Sequence, residues 1–371
     1  MKKAMHFLFI AAFLLCLLLP VAKMEFGTEV KSEIDNEYLP ELETESFQEL
    51  ANSLSVYVEK RIGYREEALT LYQQINDKLF SIMDHPTYMY GEEGHVFFKG
   101  EPFIRDFQHL NLDADYAEEF AQGLSGFQAY THEKGADFLY FYIPNKETIY
   151  PEYYPKGVEV YGDVSRTDQI LQALDEKGVA YYFAKDVMLE AKKTTLVNNV
   201  KYDAGHWNDN GAFACIQHLY TLLQQKHPQL EVLEKEEFNI RQVVMKTLQV
   251  SDFEINESVP EYSLKQTTAI DKTEEFRAQA VISYPDNYVA HYENPDCPDQ
   301  PKLLIFGDSY LEGMDHFFTN HFSEYTYIHR YNVYNQEFFD YYVDLLEPDI
   351  VIFENPERSH PIDLFQDETL D

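Results

Sequence analysis

The chain has 371 residues, of which 45% are hydrophobic and 15% aromatic, and this composition excludes a disordered chain because it can bury a full core. Its 65 acidic and 29 basic residues give a formal charge of -36, spread along the chain rather than confined to one tail. Such a surface repels phosphate polymers, which argues against DNA or RNA as a partner and is otherwise ordinary for a solvated exterior.

The N-terminus predicts export. Lys2 and Lys3 precede an apolar run from Met5 to Ala22, which is near the lower length limit for a membrane-spanning helix. No clear pair of small residues follows for signal cleavage, so an uncleaved anchor over residues 1–22 is the favoured interpretation and secretion after cleavage is the alternative. Lysines before the run and acids after it place the rest of the chain outside the cell membrane.

The next segment, residues 23–46, predicts a stalk. It is acidic, contains Pro40 and lacks long apolar periods. From about Phe47 a helical period begins, and it is clear where Leu69, Tyr72 and Ile75 recur on one face. We therefore expect one domain over residues 47–371.

Helix and strand signals alternate through this domain. A helix that stops at Gly135 is followed by an apolar strand over residues 138–143, and Pro144 ends that strand. Ser165 caps the next helix, and further buried strands are predicted over residues 303–306 and 350–353. This alternation is typical of the α/β class, in which helices flank a mainly parallel central sheet.

Two polar motifs in the domain together suggest a catalytic serine. Ser309 ends a Gly-Asp-Ser turn after the strand at residues 303–306, where its backbone N–H can face a developing oxyanion. Asp203 and His206 lie three residues apart before a helix, so the carboxylate can reach one imidazole nitrogen while the other faces the serine. Each motif alone is common as an ordinary turn, but their joint occurrence favours catalysis.

These motifs carry a family resemblance. "YDAGHWNDNGA", followed about a hundred residues later by "LLIFGDSY", resembles the SGNH-hydrolase-like proteins of the alginate O-acetyltransferase type, which include AlgX, AlgJ and the DHHW proteins. Other segments agree in order: "YVEKRIGYREEALTLYQQIND", "GEEGHVFFKG", "IPNKETIYPEYYP" and "PDIVIFENPER". The resemblance covers about residues 47–359. The family usually separates Asp and His by one residue, whereas this chain has two, Ala204 and Gly205, as ordinary SGNH esterases do.

The resemblance implies a three-layer SGNH-type sandwich in which Ser309 is the nucleophile, His206 the general base and Asp203 the acid that orients it. It implies an extracellular O-acetyltransferase of exopolysaccharide biosynthesis that acts on cell-surface polysaccharide through a covalent acetyl-enzyme. The acetyl donor would be a membrane acyl-carrier protein, and no cofactor or metal is expected. A carbohydrate O-acetylesterase, or a catalytically silent polysaccharide-binding or assembly protein with the same fold, are the alternatives.

Four residues near predicted element ends are weaker candidates for substrate or oxyanion contacts. Asn145 and Lys146 follow a strand end, where ligands bind in open α/β sheets, but such a pair also solvates a loop. Trp207 can stack on a sugar or, as the favoured interpretation, pack beneath His206. Asn208 can donate to an oxyanion or cap the following helix.

Two further candidates flank the serine and the last strand. The Tyr310 N–H can donate to an oxyanion. Arg358 can orient an acidic sugar or pair with Glu354 or Glu357, and the ion pair is the favoured interpretation.

The exported part contains two cysteines, Cys215 and Cys297, whose spacing matches no zinc pattern. Two unpaired thiols are the favoured interpretation, and one disulfide is the alternative.

Overall fold

The computed structural model describes residues 2–27, 30, 32, 38–42, 46–80, 82–251, 253–279, 289–329 and 336–359. The chain divides into two compact units, one formed by residues 1–85 with 246–256 and the other by residues 86–245 with 257–371. The predicted division into anchor, stalk and a domain that begins at residue 47 stays a prediction.

The first unit is helical. Its helices are α1 (Lys2–Ala22), α2 (Phe47–Arg61) and α3 (Arg65–Ile75), which a π-helical turn (Asn76–Phe80) extends. The segment Met5–Ala22 of α1 has a mean hydropathy of 2.5 and is exposed along its length, so it has the length and composition of a signal anchor or signal peptide. The buried guanidinium of Arg61 donates to the carbonyls of Gly27 and Pro40, so this part of the predicted stalk folds back onto α2.

The second unit contains the central sheet. Its strands are β1 (Tyr88–Tyr90), β2 (Val96–Phe98), β3 (Asp137–Ile143), β4 (Tyr181–Phe183), β5 (Phe238–Thr247), β6 (Glu254–Leu264), β7 (Ile270–Asp271), β8 (Val289–Glu293), β9 (Lys302–Gly307), β10 (Glu324–His329) and β11 (Ile350–Pro356), where β5 and β6 form a hairpin whose tip belongs to the first unit. Seven strands pair in the order β4-β3-β11-β9-β10-β8-β7, and the first five are parallel. Among the described strands of this sheet only β8 runs in the opposite direction, since it pairs antiparallel with both β10 and β7. The predicted mainly parallel α/β sheet is confirmed.

Helices cover both faces of the sheet. They are α4 (Glu101–Phe107), α5 (Ala114–Glu133), α6 (Lys146–Ile149), α7 (Arg166–Lys177), α8 (Lys185–Lys192), α9 (Asp209–Leu223), α10 (Thr273–Gln279) and α11 (Gln336–Leu346). Along β9, Leu303 and Ile305 pack into the core on the side of α8 and α9, whereas Leu304 and Phe306 pack on the side of α5, α7 and α11. Because both faces are buried, the strand is an almost continuous apolar run, and the three-layer prediction is confirmed.

The strand order brings distant parts of the sequence to one edge. β3, β11 and β9 are neighbours and parallel, so the residues that follow Ile143, Pro356 and Gly307 lie at the same carboxyl edge. A topology of this kind gathers loop side chains from three separate segments into one crevice.

Cys215 and Cys297 are both free thiols. Cys215 is fully buried within α9 and Cys297 is half-buried. The alternative of a disulfide is therefore wrong.

A buried histidine lies between β1 and β2. The His95 ring stacks on that of Tyr153, with 4.1 Å between ring centroids, and only 5% of the residue is exposed. Burial, assisted by the charge of Lys146, lowers the pKa of His95 to about 4. The folded state therefore holds this ring neutral at a pH where the unfolded state protonates it.

We expect His95→Phe to reduce the acid sensitivity of the fold. Between pH 6.5 and 4 the unfolded chain binds the extra proton, so His95 costs stability as the pH falls through this window. The free energy of unfolding of the variant relative to the parent should rise by up to about 2–3 kcal/mol between pH 7 and pH 4, measured by urea denaturation. A difference that does not change with pH would contradict the burial of a neutral ring.

Candidate active site

The structure brings Asp203, His206 and Ser309 into one hydrogen-bonded chain. His206 Nδ1 lies 2.7 Å from Asp203 Oδ2, and His206 Nε2 lies 2.9 Å from Ser309 Oγ. Ser309 is exposed, His206 is half-buried and Asp203 is buried, with 4% of its surface exposed. The reactive hydroxyl thus faces solvent while the carboxylate that orients the imidazole is shielded from water.

The neighbours of His206 assign its proton to Nδ1. On Nδ1 the ring faces a carboxylate, which only accepts hydrogen bonds. On Nε2 it faces Ser309 Oγ and also Arg358 Nη2 at 3.3 Å, and a guanidinium only donates. Nε2 therefore carries the lone pair, which is the tautomer that a general base toward Ser309 requires.

Asp203 is held as a carboxylate. Burial by itself would raise its pKa, but His206 and the backbone N–H groups of Gly205 and His206, at 2.7 and 2.8 Å from Oδ1, stabilise the charge. The net result is a pKa well below the ordinary value for Asp203. One oxygen thus orders the turn and the other orients the imidazole.

The two-residue spacing between Asp203 and His206 depends on Gly205. A Cβ at this position would lie 2.6 Å from Phe98 Cε2 and 3.0 Å from Arg358 Nη1. The absent side chain leaves room for the phenyl ring and for the guanidinium, whose Cζ lies 5.5 Å from the Phe98 ring centroid. A turn with two residues between Asp203 and His206 is therefore compatible with the hydrogen bond between these two side chains. The sequence alone could not decide this point.

Lys146 holds the backbone of the Asp203 loop. The residue has no exposed surface, and its ammonium donates to the carbonyls of Val96, Val200 and Asp203 at 2.8, 3.1 and 3.0 Å. Burial lowers the pKa of Lys146 to about 8, although the charges of Asp203 and Glu257 counteract the decrease. Neither a pocket-lining nor a loop-solvating role fits a lysine whose three donors all bind backbone carbonyls.

Glu257, on β6, binds the same loop from the other direction. Its carboxylate accepts from the backbone N–H groups of Val200, Lys201 and Tyr202, at 2.6, 2.7 and 2.5 Å. A buried cation on the carbonyls and an anion on the N–H groups together fix the chain just before Asp203. The sequence offers no signal that links Glu257 to this loop.

Two other candidates of the loop have structural roles. Trp207 is buried, and its indole N–H donates to the Tyr310 carbonyl at 3.0 Å, so it packs beneath the site and presents no face to a sugar. Asn208 caps α9: its Oδ1 accepts from the N–H groups of Asn210 and Gly211, and its Nδ2 donates to the Leu196 carbonyl. An oxyanion contact by Asn208 would break these bonds.

The Tyr310 N–H donates to Asp308 Oδ1 at 3.0 Å, so an oxyanion contact would require that bond to break. The Ser309 N–H, in contrast, makes no hydrogen bond to any of the described residues. It is the better donor for an oxyanion at this turn.

Arg358 belongs to the site and not to an ion pair with its sequence neighbours. Nη1 donates to Tyr310 Oη at 2.7 Å and Nη2 reaches His206. Glu354 instead accepts from the Asp308 N–H, and Glu357 accepts from the Asn145 N–H at 2.7 Å and from two threonine hydroxyls. The favoured ion-pair interpretation is therefore wrong, because the acids already bind other donors and Arg358 lies over the triad.

Aromatic residues of the β1–β2 hairpin flank the triad and were not among the predicted site residues. Phe98 is half-buried between Tyr88 and Phe103, with ring centroids at 5.6 and 4.8 Å. The one sequence feature that could have indicated these aromatic residues was the aromatic strand in "GEEGHVFFKG". Its position beside Gly205 depends on tertiary structure.

Comparison with known proteins bears on this site. The sequence model of the family described as "SGNH hydrolase-like domain, acetyltransferase AlgX" matches residues 90–321, a range that contains Asp203, His206 and Ser309. No curated protein matches the sequence.

Solved structures support the fold. Bacillus cereus PatB1 with a sulfonyl adduct is 13% identical, with 75% of this chain and 98% of PatB1 covered and a TM-score of 0.55. A second PatB1 structure, also 13% identical, covers 74% and 98% of the two chains with a TM-score of 0.53. The O-acetyltransferase domain of Pseudomonas putida AlgJ is 14% identical over 77% and 95%, with a TM-score of 0.47. At these identities the PatB1 superpositions show a shared fold and nothing further.

We expect Gly205→Ala to destabilise the fold by about 1–3 kcal/mol, because the new methyl group overlaps Phe98 and Arg358. Gly126→Ala is the matched control, since its Cβ on α5 would meet nothing within 4 Å. That control should gain about 0.5–1 kcal/mol from helix propensity. Denaturant unfolding measures both, and equal changes in the two variants would contradict the close approach at Gly205.

We expect Lys146→Met to disturb the Asp203–His206 hydrogen bond without touching either residue. The variant removes the ammonium from the carbonyls of Val96, Val200 and Asp203, of which Val200 still accepts from the Val96 N–H, and it should cost about 2–5 kcal/mol of stability. The shared Nδ1 proton gives a resonance far downfield of the amides, assigned by its loss in Asp203→Asn, and it should shift or broaden in Lys146→Met.

Lys192→Met is the matched control for this experiment. The Lys192 ammonium also binds a carbonyl, that of Ile149, but its side chain is partly exposed. We expect a loss of less than about 1 kcal/mol and an unchanged resonance. An unchanged resonance in Lys146→Met as well would show that the lysine does not position Asp203.

Proposed function

Because the chain belongs to the SGNH hydrolase-like acetyltransferase AlgX family, we propose that it is an extracellular O-acetyltransferase that acetylates cell-surface polysaccharide through an acetyl-enzyme on Ser309. The observation that carries the proposal is the continuous chain from Asp203 through His206 to an exposed Ser309, at the edge of the sheet where loops gather. Family membership supports acetyl transfer, and the geometry supports which residues perform it.

In the first half-reaction, Ser309 Oγ attacks the carbonyl carbon of the donor ester while its proton passes to His206 Nε2. The tetrahedral oxyanion would be stabilised by the Ser309 N–H and by the Arg358 guanidinium, which lies beside Nε2. As the ester bond breaks, the donor oxygen takes the proton from Nε2. The products are acetyl-Ser309 and the donor alcohol.

In the second half-reaction a sugar hydroxyl takes the place of the donor. His206 Nε2 accepts its proton as the oxygen attacks the acetyl carbon, and the same proton then returns to Ser309 Oγ when the acyl bond breaks. Asp203 remains ionised throughout and stabilises the imidazolium that forms twice in the cycle. Neither half-reaction requires a metal or a cofactor.

The N-terminal helix supports a location at the membrane. We propose that α1 anchors the chain with the second unit outside, since Lys2 and Lys3 precede the apolar segment and acidic residues follow it. No acetyl-CoA is available there, so the donor would be a membrane acyl-carrier partner.

The test is acetylation of the full-length protein in detergent by 4-nitrophenyl acetate. Intact-mass and peptide analysis should find one acetyl group on Ser309, and Ser309→Ala should lose the adduct and at least about a thousandfold in ester turnover. Ser258→Ala, an exposed serine on β6, is the control and should behave as the parent.

An acceptor polysaccharide distinguishes the alternatives. Acetyl groups on the sugar support the transferase, whereas release of acetate alone, with and without acceptor, supports the esterase. Absence of both adduct and turnover in the parent, indistinguishable from Ser309→Ala, would leave only the silent binding protein.

A further inference from the structure

A cavity of about 460 Å³ opens in the second unit at the carboxyl edge of the sheet, the edge that also carries Ser309, and the proposed reaction leaves it unused. Its walls come from α6, α7, the loop before α7 and the residue that follows β11. The volume falls within the range of small-molecule sites, about 300–1,000 Å³.

Two polar atoms of the cavity wall lack partners among the described residues, although the Arg166 guanidinium pairs through Nη1 with Asp106. Asn145 is 95% buried, since 5% of its surface is exposed, and its Oδ1 accepts no hydrogen bond from any of the described residues. Arg166 Nε is buried and, within the same part of the chain, has no acceptor. Native proteins pair nearly all such atoms, so both require a partner from outside the described chain.

A third wall group, the Glu147 carboxyl, is buried without a salt bridge to a described residue. Burial, and to a lesser extent the charge of Glu357, raises the pKa of Glu147 to about 7. The carboxyl can therefore accept or donate a hydrogen bond near neutral pH. The Glu147 backbone N–H binds the carboxylate and lowers its pKa, which offsets the effect of burial only in part.

We propose that this cavity binds an uncharged sugar ring of the acceptor polysaccharide, next to the ring that receives the acetyl group. An amide oxygen, a guanidinium N–H and a protonatable carboxyl require a partner that both donates and accepts, and hydroxyl groups do both. The proposal rests on the proposed function only in that it takes the polysaccharide as the ligand.

The cavity and the triad share the carboxyl edge of the sheet, because Asn145 and Glu357 follow β3 and β11 and Ser309 follows β9. Glu357 lies in its wall and the next residue, Arg358, contacts His206 Nε2. The charge of Arg358 also lowers the pKa of Glu147, so the two side chains are within electrostatic reach. A ring held in the cavity would extend the polysaccharide toward Ser309.

The charge of the wall selects against uronic acids. Five carboxyl side chains line the cavity against one guanidinium and one ammonium. A sugar carboxylate would meet a net negative wall on a protein whose formal charge is already -36. Neutral rings satisfy the unpartnered groups without this repulsion.

The test measures binding of neutral and uronate hexasaccharides to the full-length protein in detergent by ligand-observed NMR. The neutral panel contains hexamers of glucose, galactose and N-acetylglucosamine. We expect at least one neutral hexamer to bind at least tenfold more tightly than the uronate hexamer. Binding of the uronate hexamer alone, or of no hexamer, would overturn the proposal.

Asn145→Leu separates ligand binding from folding. If Oδ1 serves a ligand, the near-isosteric leucine should leave the unfolding midpoint unchanged or raise it, while affinity for the neutral hexamer falls at least fivefold. A lower midpoint with unchanged affinity would assign Asn145 to the fold and overturn its role in the site.

Two valines of one loop test the location. Val160 lines the cavity and is 48% exposed, whereas Val164 is 50% exposed and lies outside the wall. The affinity for the neutral hexamer should change at least tenfold in Val160→Trp and should not change in Val164→Trp. Equal affinities in the two variants would contradict the location of the sugar site in this cavity. Acetylation of Ser309 by 4-nitrophenyl acetate should be the same in Val164→Trp and in the parent. Loss of acetylation without loss of binding would refute the proposed function and leave the sugar site intact.

Discussion

The site depends on the hydrogen bonds that the buried Lys146 ammonium donates to three backbone carbonyls. A loop that carries a catalytic carboxylate must bury that carboxylate, and with it a stretch of backbone that water no longer solvates. Lys146 satisfies the carbonyls of this stretch and Glu257 satisfies its N–H groups. The loop is thereby fixed without regular secondary structure, and Asp203 can hold His206 in a single tautomer.

The parallel sheet supplies the other half of the arrangement. Three neighbouring strands end at the same edge, and the residues that follow them are Lys146, Ser309 and Arg358. Ser309, the Arg358 guanidinium and the Lys146 ammonium thus come from segments up to 212 residues apart, a span equal to that of the hydrogen bond between Asn145 and Glu357. A rigid, doubly covered sheet holds their relative positions.

Much of this was predictable from the sequence, for identifiable reasons. The apolar runs of β3, β9 and β11 and the capped helices between them follow local rules, and so they predicted the α/β sheet. The proximity of Ser309 and His206 was predictable because Ser309 follows a predicted strand, His206 precedes a predicted helix and each matches a motif. Arg358 was misassigned because Glu354 and Glu357 are close to it in sequence, whereas in the structure those acids bind Asp308 and Asn145. Glu257 was not predictable at all, since a hairpin brings it to the loop and its own sequence context is that of an ordinary strand.

The end of β11 carries one further consequence, which concerns register. Two consecutive residues face different surroundings there: Glu357 lines the cavity and Arg358 reaches the imidazole. A one-residue slip of β11 against β3 and β9 that brought Glu357 to the position of Arg358 would place a carboxylate next to His206 Nε2. The pairing of β11 with β3 and β9, which is remote from Ser309, therefore decides the sign of the charge that lies next to His206.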